Sequence, residues 1–408
     1  MDLQLSPGKW PSGAHIRISG SKSETNRLLL LQAMCPRIII ENGSDSDDSI
    51  AMQRGLSQTK GVVDVGHAGT AMRFLAAYYA VNPDVDILLT GSARMKERPI
   101  GVLVDALREL GADIEYGGKE GFPPLHIRGR QIHQSQTSIR ADISSQFLSA
   151  LALVAPALEN GLNMRLEGEL TSAPYLEMTL ALLRKVGVET HFDKRSIQIL
   201  PAAIRPATIM VESDWSSASY FYSMVALAPE GTELVLSSFH ADSRQGDRIT
   251  AEIYRLFGVA TYFYPDGSIR LIKEGEAQHH IDLDLSNTPD IAQTIAVTCR
   301  GLGISCNLYG LHTLKIKETD RLEALRTELT STGTPVRISE GSLHLGSSGD
   351  LPADISVRTY HDHRMALAFA PLAIRSNVTI HDAGVVSKSY PSFWKDLEGL
   401  GIQQTVLD

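Results

Sequence analysis

Cysteine is scarce: Cys35, Cys299 and Cys306 are the three in 408 residues. An odd, low count in a long chain excludes a disulfide framework and fits a reducing compartment. A cytoplasmic location and three buried thiols are therefore expected. None of the three sits in a CxxC pair or beside paired histidines, so structural zinc lacks a ligand set. Long apolar runs are missing too. The longest, Phe147 to Leu158, is interrupted by Ser149 and Pro156, short of the roughly 20 residues a membrane-crossing helix needs. The opening Met1-Asp2-Leu3-Gln4-Leu5-Ser6-Pro7 has neither a basic nor an apolar leader segment, so no secretory signal is expected. A basic excess is lacking: the formal net charge is −9, opposite in sign to the usual nucleic-acid binder. No aromatic-basic stacking face is visible either. Neither a membrane nor a nucleic acid is an expected partner.

Several motifs are absent as well. No GxxxxGK[ST] loop supports a nucleotide phosphate site, and Gly301-Leu302-Gly303 is too short for a dinucleotide fingerprint. HExxH and GxSxG are missing. His361 and His363 lie two apart near a helix start with no further Cys or His close by, an insufficient metal set. No metal and no cofactor is expected.

What the chain has is size, a balanced composition and a recurring pattern. Apolar residues make up 43% and charged residues 21%, the composition of a packed globular protein. At 408 residues two domains are the natural expectation. Amphipathic segments repeatedly end at glycine before a β-rich stretch, at Gly111, Gly187, Gly258, Gly333 and Gly401. Glycine closes helices because it accepts the left-handed conformation without penalty. These glycines recur about every 70 residues, the spacing of a supersecondary block used several times. Gly55 reads as the end of a shorter first block, giving six in all.

Helix starts carry the second pattern. Ser21-Lys22-Ser23-Glu24 reads as a capping box. Gly69-Thr70, Ser144-Ser145-Gln146, Ser216-Ser217, Thr288-Pro289-Asp290 and Asp362-His363-Arg364 each precede an apolar run. Helix N-termini present free N–H donors and partial positive charge, natural seats for phosphate or carboxylate. Each can be simple capping. However, Lys22, Arg27, Arg73 and Arg364 lie in first or second turns, where a cation opposes the helix dipole, so an anionic ligand is the sharper reading. Two further runs concentrate charge: Arg94-Met95-Lys96-Glu97-Arg98-Pro99, a loop before a helix, and Leu314-Lys315-Ile316-Lys317-Glu318-Thr319-Asp320-Arg321, which alternates like a strand before a helix begins.

Together these residues resemble the EPSP synthase family. Gly20-Ser21-Lys22-Ser23-Glu24-Thr25-Asn26-Arg27 is similar to its first motif and Ala68-Gly69-Thr70-Ala71-Met72-Arg73 to its second. Arg94–Ile100, Ser144-Ser145-Gln146-Phe147-Leu148, Ser216-Ser217-Ala218-Ser219-Tyr220, Pro289-Asp290, Lys317-Glu318-Thr319-Asp320-Arg321 and Asp362-His363-Arg364-Met365 follow in the family's order, and Lys388 fits its C-terminal lysine. The resemblance implies an α/β fold: a two-domain inside-out α/β barrel, each domain three βαβαββ units. Residues 1–20 plus 213–408 would form a discontinuous domain carrying the phosphoenolpyruvate-side catalytic residues. Residues 21–212 would carry most shikimate 3-phosphate contacts, with the active site in the interdomain cleft. The implied activity transfers the enolpyruvyl group of phosphoenolpyruvate to the 5-hydroxyl of shikimate 3-phosphate, releasing phosphate.

By the same resemblance, Asp290, Glu318 and Lys22 are the catalytic residues. Lys22, Ser23, Arg27, Ser144, Ser145, Gln146, Ser172, Tyr175, Asp290 and Lys317 would bind shikimate 3-phosphate. Lys22, Gly69, Arg98, Gln146, Arg321, Arg364 and Lys388 would bind phosphoenolpyruvate. A monomer is implied. The sequence departs from the family at His67 and His361, where Asn is usual, at Thr313-Leu314-Lys315, and in Leu56 to Val65, which lacks room for a hairpin. Two rivals share the scaffold. The enolpyruvyl transferase for a UDP-sugar uses a cysteine on a mobile loop, and no cysteine here sits in such a motif. A non-catalytic anion-binding protein is expected to have lost Asp290 or Glu318, and both are present.

Overall fold

The computed structural model describes residues 1–407. The chain divides into two compact units. One is the continuous segment Gly20–Val211; the other joins Met1–Ser19 to Glu212–Asp408. Each has its own apolar core, one running from Leu28 to Val211 and the other joining Leu3 and Leu5 to the residues between Trp215 and Ile402.

In Gly20–Val211 the helices are α1 (Lys22–Met34), α2 (Asp47–Leu56), α3 (Gly69–Ala80), α4 (Gly101–Glu109), α5 (Ser145–Val154) and α6 (Ala173–Lys185). The other unit holds α7 (Trp215–Leu227), α8 (Thr250–Ile253), α9 (Ala292–Leu302), α10 (Arg321–Ser331), α11 (His363–Phe369) and α12 (Phe393–Gly399). A surface helix normally buries one stripe. By contrast α3, α5, α7, α9 and α11 are buried on nearly every side. In the first unit α1, α3 and α5 pack against one another; in the second, α9 packs against both α7 and α11.

The strands show the complementary pattern. Leu162–Glu167 and Gln136–Arg140 alternate buried and exposed side chains, the signature of a sheet with one face on the core and one in water. Helices therefore lie inside and sheets outside, as the resemblance to the EPSP synthase family implied. Lys60–Asp64, Asp86–Thr90, Asp113–Tyr116 and Leu125–Arg128 show the repeated topology: a parallel pair, then an antiparallel hairpin whose far strand joins the sheet. The same βαβαββ path recurs at 136–199 and 280–345. Two further four-stranded sheets borrow their missing strand from the N-terminus, Asp2–Ser6 in one and His15–Ile16 in the other.

The sixth sheet has only two strands, Thr208–Met210 parallel to Ile39–Glu41. After α2 the chain passes directly to Lys60–Asp64 in the neighbouring sheet, so the hairpin present in the other blocks is missing here. Gly111, Gly187, Gly258, Gly333 and Gly401 all have positive φ, which is why glycine marks the block ends. Gly55 is different. It lies inside α2, and a Cβ there would fall 2.3 Å from Leu75 Cδ1. Close packing of α2 on α3 requires it, and it does not terminate a helix.

Two other local expectations need correction. Ser21 is the residue before α1, but its side chain makes no cap hydrogen bond; the capping box does not form, and Ser21 is 1% exposed. The run before Lys317 is not a strand. His312–Ile316 form a 3-10 turn, and Lys317 to Asp320 then lead into α10. Alternating Leu, Lys, Ile, Lys satisfies both geometries locally, and the short turn is decided by packing against α10. No helix is long and apolar enough to cross a membrane among the described residues. All three cysteines are free and buried.

Candidate functional site

In the unit formed by Met1–Ser19 and Glu212–Asp408, the acidic and basic residues singled out from the sequence form one connected cluster. Asp320 caps α10 by accepting from Glu323 N, and Asp362 caps α11 by accepting from Arg364 N. These caps place Arg321 and Arg364 at the first turns of their helices. Arg321 is the hub. Its Nε is 2.7 Å from Asp362 Oδ2, Nη1 is 3.0 Å from Asp290 Oδ1, and Nη2 is 2.8 Å from Glu318 Oε2. Arg364 Nη2 lies 3.1 Å from Asp290 Oδ2, and its Nη1 donates to Asp290 O at 3.0 Å. Lys317 Nζ is 3.6 Å from Asp290 Oδ1 and Lys388 Nζ is 2.7 Å from Glu318 Oε1. Asp290 thus faces three cations and Glu318 faces two.

The electrostatics follow from this geometry. Burial works against ionisation of Asp290, yet Arg364, Lys317 and Arg321 outweigh it and hold its carboxyl well below the usual carboxylate range. Burial likewise works against the charge of Arg321, and Asp362, Glu318 and Asp290 overcome it and raise its pKa. Tyr220, whose hydroxyl accepts from Arg364 Nη1 at 3.4 Å, is pushed up to about 12 by burial.

A second set lies in Gly20–Val211. Lys22 Nζ donates to Asp48 Oδ2 at 3.0 Å, which anchors the first residue of α1 to the first turn of α2. Arg27 is almost wholly buried. Its Nε donates to Thr179 Oγ1 at 2.7 Å, Nη1 to Ser23 O at 2.6 Å, and Nη2 to Ser149 Oγ at 3.2 Å and Tyr175 O at 3.1 Å. It therefore ties α1 to α5 and to the first turn of α6. Burial pulls its pKa down to about 10, so it stays charged at neutral pH. Ser144 caps α5 through Gln146 N, and the Gln146 amide donates to Thr70 Oγ1 at 3.3 Å, which brings the starts of α3 and α5 together. Ser172 precedes α6 in the left-handed region at φ 53°, a strained conformation for a residue with a Cβ. At the start of α3, a Cβ on Gly69 would fall 2.8 Å from Arg98 Nη1 and 3.1 Å from Arg73 Nη1. Glycine there lets two guanidinium groups close over the helix end.

Each unit thus gathers its own share. Asp290, Lys317, Glu318, Arg321, Arg364 and Lys388 form the cluster just described. Lys22, Ser23, Arg27, Gly69, Arg98, Ser144, Ser145, Gln146, Ser172 and Tyr175 lie at or beside helix starts of the other unit, linked through Arg27 and Gln146 rather than in one ion-pair network. The quoted motifs contain Ser216, Tyr220 and Asp362 without giving them a site role, and Asp48 and Asp247 lie outside those motifs. Asp362 had a signal, since it opens the Asp-His-Arg motif; Asp48 sits in an acidic run, Asp45 to Asp48, that reads as ordinary helix-start charge.

Known proteins resemble this chain along nearly its whole length. The family model for EPSP synthase (3-phosphoshikimate 1-carboxyvinyltransferase) matches residues 39–397. A 3-phosphoshikimate 1-carboxyvinyltransferase of Bacteroides fragilis is 43% identical over 397 residues, covering 96% of each chain. One from Shewanella pealeana is 35% identical and covers 98% of this chain and 99% of its own. Among solved structures, the EPSP synthase of Acinetobacter baumannii superposes with a TM-score of 0.79 at 22% identity, covering 99% of this chain and 100% of that one. The chain belongs to the EPSP synthase (3-phosphoshikimate 1-carboxyvinyltransferase) family.

Proposed function

We propose that this chain transfers the 1-carboxyvinyl group of phosphoenolpyruvate to the 5-hydroxyl of shikimate 3-phosphate, releasing inorganic phosphate. The observation that carries the reading is the single cluster in which Asp290 and Glu318 share Arg321 while Arg364, Lys317 and Lys388 close around them. Two carboxylates among four cations are the parts an addition–elimination between two anions needs. The substrates carry a summed charge of about −5, taking each phosphate at roughly −1.5 to −2. Paired, planar donors suit their phosphate and carboxylate groups.

In this reading the 5-hydroxyl oxygen bonds to C2 of phosphoenolpyruvate while C3 takes a proton. The tetrahedral adduct then loses a proton from C3 as the C2–O bond to phosphate breaks. Asp290 accepts the hydroxyl proton, with Lys22 assisting, and Glu318 serves C3. Asp290 alone, held ionised by three cations, is a weak base. When two anionic substrates partner those cations, the field that depresses its pKa is offset and its basicity returns. Glu318 receives a hydrogen bond from Lys388, so an ammonium donor stands within reach of the proton carrier.

Arg321, Arg364 and Lys388 are assigned to phosphoenolpyruvate together with Lys22, Gly69, Arg98 and Gln146. Shikimate 3-phosphate is assigned to Ser23, Arg27, Ser144, Ser145, Gln146, Ser172 and Tyr175, with Lys22, Asp290 and Lys317. A cytoplasmic monomer is proposed. Mixing the chain with both substrates and measuring phosphate tests the reading. Release is expected, and Glu318→Gln and Asp290→Asn should each lose about 10²–10⁴-fold. No release by the unmodified chain, or near-normal turnover in both variants, would sink it.

A further inference from the structure

Asp247 is a fully enclosed carboxylate that the mechanism above does not use. It is 2% exposed and lies in the 3-10 turn Gly246–Ile249. The turn is placed by its neighbours. Gln245 Oε1 accepts from Trp215 N at 3.0 Å, while its amide donates to Ser213 O at 2.8 Å and to Glu212 Oε2 at 3.2 Å. Glu212 also accepts from Trp215 Nε1 at 2.8 Å and His240 N at 2.9 Å. The start of α7 and the 240–247 segment are therefore locked together.

Asp247 uses that placement to hold two hydroxyls. Ser216 donates to its Oδ2 and Thr288 to its Oδ1. Both hydroxyls lead to the cluster. Ser216 Oγ is 3.4 Å from Arg364 Nη2, which in turn contacts Asp290 Oδ2 at 3.1 Å. Thr288 stands two residues before Asp290, at the head of the turn Pro289–Ile291, and its side chain does not cap that turn.

We propose that Asp247 is a positioning residue for the carboxyvinyl-transfer site: through Ser216 it sets Arg364, and through Thr288 it sets the segment that presents Asp290. The proposal rests on the function proposed above and adds a residue that touches neither substrate. An ionised carboxylate only accepts hydrogen bonds. It therefore obliges Ser216 to point its proton at Asp247 and to receive Arg364 on a lone pair. A protonated Asp247 must donate to one of the hydroxyls, which breaks one of the two directed links.

The groups facing Asp247 are few and of mixed sign. Ser216 faces it from α7, Thr288 and Asp290 from the 288–291 segment, and Arg364 from α11. Its own turn carries Arg248, whose guanidinium bonds Ala241 O and Glu252. Burial and the charge of Asp290 push the Asp247 carboxyl up to about 6, and Arg364, Ser216 and Thr288 only partly oppose them. The directed chain thus forms as pH rises through about 6.

The test compares kcat/KM for phosphoenolpyruvate in wild type and Asp247→Asn between pH 5 and pH 8. Substrate ionisation is common to both proteins and cancels in their ratio. The wild-type to variant ratio should climb through about pH 6 and reach at least about tenfold at pH 7.5, the scale of a misplaced reacting group. A purely structural residue would lower the ratio's denominator equally at every pH. The double variant Ser216→Ala/Thr288→Val keeps the carboxylate but cuts both links, and should show the same rising ratio even where Asp247→Asn folds poorly. Ratios that stay flat from pH 5 to pH 8, or below about twofold throughout, overturn the inference alone, because the wild type still turns over. Absence of phosphate release from the wild type overturns the function and the inference together.

Discussion

Arg321 and Asp362 form an ion pair sealed from water: Nε lies 2.7 Å from Oδ2, and the two side chains are 2% and 0% exposed. Asp362 also accepts from Arg364 N at 2.9 Å. One carboxylate thus anchors both arginines of the cluster, one by charge and one by its helix cap. Breaking a buried pair leaves an uncompensated charge, whereas the intact pair roughly offsets its own desolvation. Arg321 keeps Asp290 and Glu318, so Asp362→Ala should cost about 3 kcal/mol, the low end for a broken buried pair, and cut turnover sharply. Urea unfolding of the two proteins checks it; a midpoint within error of wild type would show that Arg321 does not depend on Asp362.

Asp290 should link stability to acid. Its folded-state pKa lies below the unfolded value, so its ionised form stabilises the fold above about pH 4 and the contribution fades as pH falls further. Asp290→Asn is therefore expected to unfold more easily than wild type at pH 7, with the gap starting to narrow only below about pH 4. Thermal unfolding across that range reads the effect, and a gap that stays constant contradicts the ion-pair account.

Arg27 distributes four hydrogen bonds from one planar group inside the Gly20–Val211 core. An ammonium cannot reproduce that fork. Arg27→Lys should cost about 3 kcal/mol, since buried acceptors on α1, α5 and α6 lose charged donors. It should also raise KM for shikimate 3-phosphate. Equal stability of the two proteins by urea unfolding would argue that water replaces the lost donors.

Gly69→Ala tests the packing of arginines at the start of α3. The new methyl meets only the flexible ends of Arg98 and Arg73, and alanine is at home in a helix. Stability should change by less than ~1 kcal/mol. The displaced guanidinium of Arg98 should raise KM for phosphoenolpyruvate about tenfold or more, with KM for shikimate 3-phosphate moving far less. An unchanged KM for phosphoenolpyruvate would remove Gly69 and Arg98 from that site.

The sequence is legible where the physics is local. The positive-φ glycines that end helices, the buried thiols and the repeated helix–strand blocks all act within a few residues of the chain. Signals that permit two local answers do not settle the structure. Ser21 precedes α1 as a capping residue does, yet its buried side chain does not cap. Leu314 to Ile316 alternate like a strand and fold as a 3-10 turn. Gly55 resembles a helix stop and is a packing glycine, because only the Leu75 side chain of another helix reveals the crowding.

The amino-acid order alone determined which charged groups the molecule carries, the family they mark, and the recurring helix–glycine–strand blocks, because helix-end chemistry reaches only about one turn along the chain. Tertiary structure decided the partnerships: Arg321 with Asp362 and Asp290, Lys388 with Glu318, Lys22 with Asp48, Arg27 with Thr179, and Asp247 with Ser216 and Thr288. These groups stand tens of residues apart in sequence. Hydrogen bonds of about 3 Å between them depend on how separate helices pack, and no local pattern encodes that distance.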